Sequence, residues 1–101
     1  MPTQNPNDPQ AITQEEREKI LRAFFPSMEP LKLQAFPPKE KKKLVILEKL
    51  AGLFEPGKEY SEKEVSQALL AVYQDVETLR RSLVDYGFMG RTRDGSKYWL
   101  M

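Results

Sequence analysis

Seven cations stand where positive charge could meet phosphate: Lys41, Lys42 and Lys43 in one run, Arg81 by itself, and Arg91, Arg93 and Lys97 around Asp94-Gly95. Closely spaced Lys and Arg suit a nucleic-acid backbone, because phosphate contacts supply most of the affinity of such complexes. The side chains of catalysis are missing. The 101 residues contain no His and no Cys, so no Ser-His or Cys-His nucleophile can be assembled, and zinc could only be held by carboxylates. The Asp and Glu residues mostly alternate with Lys and Arg on expected helix faces, which leaves no evident acid/base pair. We therefore expect a protein that is not an enzyme and that holds no metal and no cofactor.

Each cationic group carries two readings. The run 39–43, KEKKK, falls at the start of an expected helix, where cations oppose the helix dipole by roughly a few tenths of a kcal/mol each. Either phosphate is wanted there, or the run is a solvated face that keeps the domain soluble. Arg81 shares the outward face of a helix with Glu77, Thr78, Ser82 and Asp85, and the four-residue spacing from Glu77 and to Asp85 pairs it within its own helix. A face with two acids and one Arg is poorly suited to reading bases. Arg80 falls inside the apolar arc between Val76 and Val84, which makes it a partly buried cation with a carboxylate partner: Glu48, Glu55 or Asp94. Arg91, Arg93 and Lys97 read either as contacts to phosphate or a minor groove, or as charge that discourages pairing at an exposed strand edge.

Elements that would position these residues follow from caps, periodicity and turns. Thr13 and Glu16 form a capping box, and Ile20, Leu21, Phe24 and Phe25 give the helix behind them an apolar face that Pro26 ends. Residues 31–36 alternate apolar and polar, as a short half-buried strand does. Pro37-Pro38 opens a second helix running to about Phe54, with Leu44, Leu47, Leu50, Ala51 and Phe54 as its buried stripe. After a turn at 55–58, Glu59-Tyr60 offers one short strand. Ser61 and Glu64 cap a third helix that buries Val65, Ala68, Leu69 and Val72. Asp75 starts a fourth helix and Gly87 ends it. Residues 88–93 and 96–101 then flank Asp94-Gly95, a strong hairpin pattern. Tyr98 and Trp99 alternate on its last strand, so one anchors the hairpin to the core. Phe24, Phe25 and Met28 serve either the core or a dimer surface.

Length and composition fit one domain over residues 13–101 behind a disordered tail over 1–12. No apolar run approaches the ~20 residues of a membrane span, and the polar, proline-rich opening MPTQNPNDPQ lacks a secretory pattern. With no Cys as well, a cytoplasmic protein with no membrane partner is expected. Net charge is only +1. Residues 1–38 carry 4 basic and 5 acidic side chains and 39–101 carry 12 and 10, so the small basic surplus lies in the second part.

From residue 38 the order is helix, short strand, helix, tight turn, helix, hairpin. The expected fold class is therefore α+β, a winged helix-turn-helix-like domain with an extra N-terminal helix and a C-terminal β-hairpin wing. The stretches FPPKEKKKL at 36–44, YSEKEV at 60–65, LRRSLVDYGF at 79–88, RTRDG at 91–95 and Tyr98-Trp99 resemble the bacterial domain of unknown function 2087 family, in order over roughly residues 20–101. The resemblance implies a winged-helix module, alone or appended to helix-turn-helix repressors, and thus an association with transcription regulation. The family more often has Asn at the position of Ser66 and His near Gln74; this chain departs there. It supplies no settled ligand-binding or catalytic residues to carry over. Two functions stand against each other: weak, largely nonspecific DNA binding through the seven cations, or a protein-interaction module that pairs with itself as a homodimer or with a regulatory protein and touches no DNA.

Overall fold

The computed structural model describes residues 12–101. Apart from Ile12, the expected tail over 1–12 lies outside the described residues. The chain forms four helices, α1 (Gln14–Phe24), α2 (Glu40–Ala51), α3 (Glu62–Leu70) and α4 (Val76–Asp85), with a small hairpin of β1 (Ser27–Met28) and β2 (Leu31–Lys32) and a larger one of β3 (Met89–Arg91) and β4 (Tyr98–Leu100). The class is α+β.

Local chemistry sets the ends of these elements. Both capping boxes close reciprocally: Glu16 N–H donates to Thr13 Oγ1 at 3.1 Å, and Ser61 N–H donates to Glu64 Oε1 at 2.8 Å while Glu64 N–H donates to Ser61 Oγ at 3.1 Å. The Asp75 carboxylate accepts from Thr78 N–H at the head of α4. Gly87, at φ 81°, turns the chain out of α4: its N–H donates to Val84 O and that of Phe88 to Leu83 O, the double bond of a Schellman end.

Packing centres on α2, which contacts α1 on one side and α4 on another, while α3 packs on α4. Ile46, Leu47 and Leu50 of α2 are fully buried with Val65, Leu69, Leu79 and Leu83, and Phe25, Leu33, Phe54, Val72, Met89 and Tyr98 complete the same cluster. Being covered from two sides widens the buried arc of α2 beyond the expected stripe. Val45 and Ile46 are buried, whereas Leu44 and Ala51 are half-buried.

Two expected boundaries are corrected. The strand over 31–36 shrinks to Leu31–Lys32, because Leu33 N–H donates to Val72 O and Gln34 N–H to Phe24 O, so the following backbone is spent on two helix ends. The second helix runs over Glu40–Ala51, not 38–54. Pro37 is buried ahead of it, Lys39 is an N-cap with no side-chain bond, and 52–54 continue as a tight turn through Leu53 N–H to Leu50 O and Phe54 N–H to Ala51 O.

The hairpin of β3 and β4 pairs Met89 with Leu100, Gly90 with Trp99 and Arg91 with Tyr98. Its tip is wider than a two-residue Asp-Gly turn. Thr92 N–H donates to Lys97 O, Gly95 N–H donates to Thr92 O, and Gly95 takes φ 75°. Tyr60 adds a rung beside β4: Tyr60 N–H donates to Tyr98 O and Tyr98 N–H to Tyr60 O, both at 2.8 Å. Tyr98 is the aromatic that anchors the hairpin in the core, while Trp99 is half-buried across Gly90.

Candidate nucleic-acid interface

The fold divides the seven cations into two groups that share no partner. Lys41, Lys42 and Lys43 lie in the first turn of α2, against α1 and the segment leading into α2. Lys41 Nζ meets Glu16 Oε2 at 2.8 Å, and this hydrogen bond, with that from the Thr13 backbone, holds the Glu16 carboxyl below its ordinary range. The ammonium of Lys42 lies 5.6 Å from the centre of the Phe24 ring, and that of Lys43 lies 5.7 Å from the centre of Phe36. All three lysines are half-buried. Each therefore fastens something to α2, which accounts for cations at the disfavoured end of a helix. Tyr86 adds to the same end of α2 by donating its hydroxyl to Glu40 at 2.6 Å; that hydrogen bond and partial desolvation raise its pKa.

The second group gathers along α4 and the hairpin. Arg81 pairs with Glu77 at 3.4 Å, both side chains well exposed, in agreement with their spacing. Lys97 pairs with Glu59 at 3.4 Å, also in the open. Such exposed pairs are screened and easily exchanged for another anion. Arg91 is exposed and donates to the Arg93 carbonyl at 3.2 Å. Arg93 is exposed as well, and its guanidinium has no partner among the described residues. The tip that carries it is internally braced. The Asp94 carboxylate accepts from the Thr92 hydroxyl at 2.8 Å, the Ser96 hydroxyl at 2.8 Å and the Ser96 N–H at 3.0 Å. These bonds, that from Thr92 foremost, lower its pKa to about 2.

Arg80 is half-buried as expected, but its partner is corrected. It donates to Ser66 Oγ at 2.8 Å and lies 3.8 Å from Glu62 Oε1. Glu62 and Ser66 stand one turn apart on α3, the helix beside α4. The carboxylates proposed from sequence are elsewhere: Glu48 pairs with Arg17, and Asp94 braces the hairpin tip. Sequence reasoning also passed over a cleft of about 430 Å³ between α4 and the hairpin, whose walls include Arg80, Arg81, Arg91, Val84 and Tyr98, with Glu77 and Asp85 beside them. The i, i+4 spacing of Glu62 and Ser66 opposite a cation in an apolar arc was the available clue to the Arg80 contacts.

Among the described residues no helix is long and apolar enough to cross a membrane. What the fold and surface define is a small α+β domain that carries a braced, arginine-bearing hairpin beside its last helix. The chain belongs to the bacterial family described as an uncharacterized protein conserved in bacteria (DUF2087), which matches residues 32–100. That span takes in α2 through β4 and leaves α1 and β1 outside. No curated protein and no solved structure matches the chain.

Proposed function

We propose that this protein is a winged-helix module of the bacterial cytoplasm, associated with transcription regulation, that binds DNA weakly and without strong sequence preference. It works by binding, not by catalysis. One observation carries the reading: the guanidinium of Arg93 has no partner among the described residues and sits at a braced hairpin tip, with Arg91 exposed two residues away. The element order from α2 onward and the Tyr60 rung that makes β4 the middle of three strands support the winged-helix assignment. In this reading Arg91 and Arg93 meet backbone phosphate, and Lys97 and Arg81 join by exchanging their exposed carboxylates for it. Lys41, Lys42 and Lys43 add attraction at a distance.

Titration of duplex DNA at low and moderate salt tests this. Wild-type protein is expected to show a steep fall of affinity with salt. Changing Arg91 and Arg93 to Ala should make the logarithmic slope shallower by about 1 for each phosphate no longer neutralised. Absence of binding at low salt overturns the proposal.

The rival reading, a dimerisation or protein-interaction module, is favoured by a different feature. Met28 and Leu53 are 44% and 40% exposed on the rim of a shallow groove that also includes Leu21, Leu31 and Val45. Sedimentation of the same sample decides it: a concentration-dependent dimer that Leu53→Lys abolishes supports self-association, and a monomer at all concentrations removes it.

A further inference from the structure

We propose that the cleft between α4 and the hairpin is a binding site for a phosphate monoester carried by a small polar molecule. This goes beyond the DNA-binding reading and does not rest on it, since two of its three key residues, Arg80 and Tyr98, play no part there.

Two independent observations meet in this cleft. The first is a hydroxyl in an unusual position. Tyr98 is only 2% exposed, yet it lines the cleft, and its hydroxyl makes no hydrogen bond among the described residues. No buried side-chain polar atom is unpaired among the described residues, so the hydroxyl itself opens into the cleft while the ring is buried, and it is free to donate to an acceptor that enters. The second is the convergence of charge on the same spot. A Cβ built on Gly95 would lie 3.7 Å from Arg91 Nη1, 3.9 Å from the Tyr98 hydroxyl and 3.8 Å from Glu62 Oε2, so these three polar groups surround one point. Arg80 approaches from α4 and faces the same Glu62 carboxylate.

Arg80 is held but not satisfied. Its stem is half-buried and Ser66 accepts from Nη1, while the Glu62 oxygen at 3.8 Å is well beyond the ~2.7–2.9 Å of a charge-assisted hydrogen bond. Glu62 is a loose placeholder. A phosphate that enters can take over Arg80 from Glu62, accept from Arg91 and receive the Tyr98 hydroxyl, which gives one donor to each of its three peripheral oxygens. The volume of about 430 Å³ exceeds what phosphate alone occupies and falls in the ordinary range for small-ligand pockets. Val84 and the Tyr98 ring are the apolar part of the wall; the rest is charged, so the remainder of the ligand is polar. Arg80, Arg81 and Arg91 exceed Glu77 and Asp85 by one charge in the lining, and with Arg81 paired to Glu77 the attraction is local to Arg80 and Arg91.

The test follows the arginine Nε–H resonances of the 15N-labelled protein at constant ionic strength during titration with inorganic phosphate, adenosine 5′-monophosphate and adenosine. Saturable shifts of Arg80 and Arg91 with the two phosphates, and none with adenosine, are expected. Tyr98→Phe keeps the ring in the core and should weaken phosphate binding about tenfold, the usual loss for one hydrogen bond to a charged group. Glu62→Gln removes the competing carboxylate and should tighten binding several-fold, an effect that a merely structural Arg80 would not show. Linear shifts without saturation overturn the proposal, as does undiminished binding by Tyr98→Phe. A duplex arm separates the sources: if only duplex DNA engages the cleft and neither phosphate probe saturates, the site is a backbone contact and the small-molecule proposal fails. Arg93→Ala should weaken duplex binding and leave adenosine 5′-monophosphate untouched, so loss of the DNA reading is distinguishable from loss of this one.

Discussion

The lysines that open α2 and the arginines of the hairpin have similar charge density along the chain, yet they face different surroundings. Lys41 meets a carboxylate of α1, and Lys42 and Lys43 lie over Phe24 and Phe36. Arg91 and Arg93 belong to a tip whose own carboxylate, Asp94, accepts from Thr92 and Ser96 and makes no ion pair with either arginine. The difference shows what makes a cation available. A short anionic or aromatic reach across a packed helix pair consumes it, whereas a turn that satisfies its acid internally leaves its bases free. Local charge counts do not register this.

The strongest way to break the comparison is to dislodge the hairpin. A Cβ on Gly90 would come within 2.6 Å of Trp99 Nε1 and 2.9 Å of Met101 Sδ. Gly90→Val should therefore push the indole off the strand and destabilise the fold by about 2 kcal/mol, with a shift of Trp99 fluorescence toward that of a solvated indole. DNA affinity should fall with it. If affinity survives while the indole is displaced, the hairpin is not the contact.

A smaller effect separates structural from available cations. Changing Lys42 and Lys43 together to Ala should cost about 1 kcal/mol of stability, because both ammonium–ring attractions disappear at partly solvated positions, and should leave the salt dependence of DNA binding nearly intact. Arg93→Ala should do the reverse, with denaturation midpoint unchanged and salt slope reduced. Exchange of these outcomes would invert the assignment of the two clusters.

The smallest effect is confined to the tip. Because the fold lowers the Asp94 pKa from 3.8 to about 2, its carboxylate contributes fully above 3.8, and that contribution is lost as pH falls toward 2. Hydrogen exchange at the Ser96 amide, which Thr92 Oγ1 also accepts from, should accelerate over this window relative to a control amide in α4, and Asp94→Ala should abolish that pH dependence.

Features closed within five residues were legible in the sequence. The pairs Thr13/Glu16 and Ser61/Glu64, the Asp75 cap, Gly87 and the Asp94-Gly95 turn each settle a backbone bond locally, so residue type and spacing suffice. Features closed over long separations were not. The backbone of Leu33 and Gln34 finds acceptors at Val72 and Phe24, and Arg80 finds Ser66 and Glu62, through packing of elements whose mutual placement no short window encodes. For the candidate site, the hairpin cations and the Arg81–Glu77 pair were readable. The roles of Lys41, Lys42 and Lys43, and the cleft at Tyr98, depended on neighbours brought in by the fold.

The rung between Tyr60 and Tyr98 joins residues far apart in the chain, with α3 and α4 in the loop it closes. Closing so long a loop is entropically slower than zipping the helical pair it encloses. The ribbon is therefore expected to dock late in folding. Until it does, the hydrophobic sides of Met89 and Tyr98 stay uncovered, and a chain stalled at that stage is the form most prone to self-association.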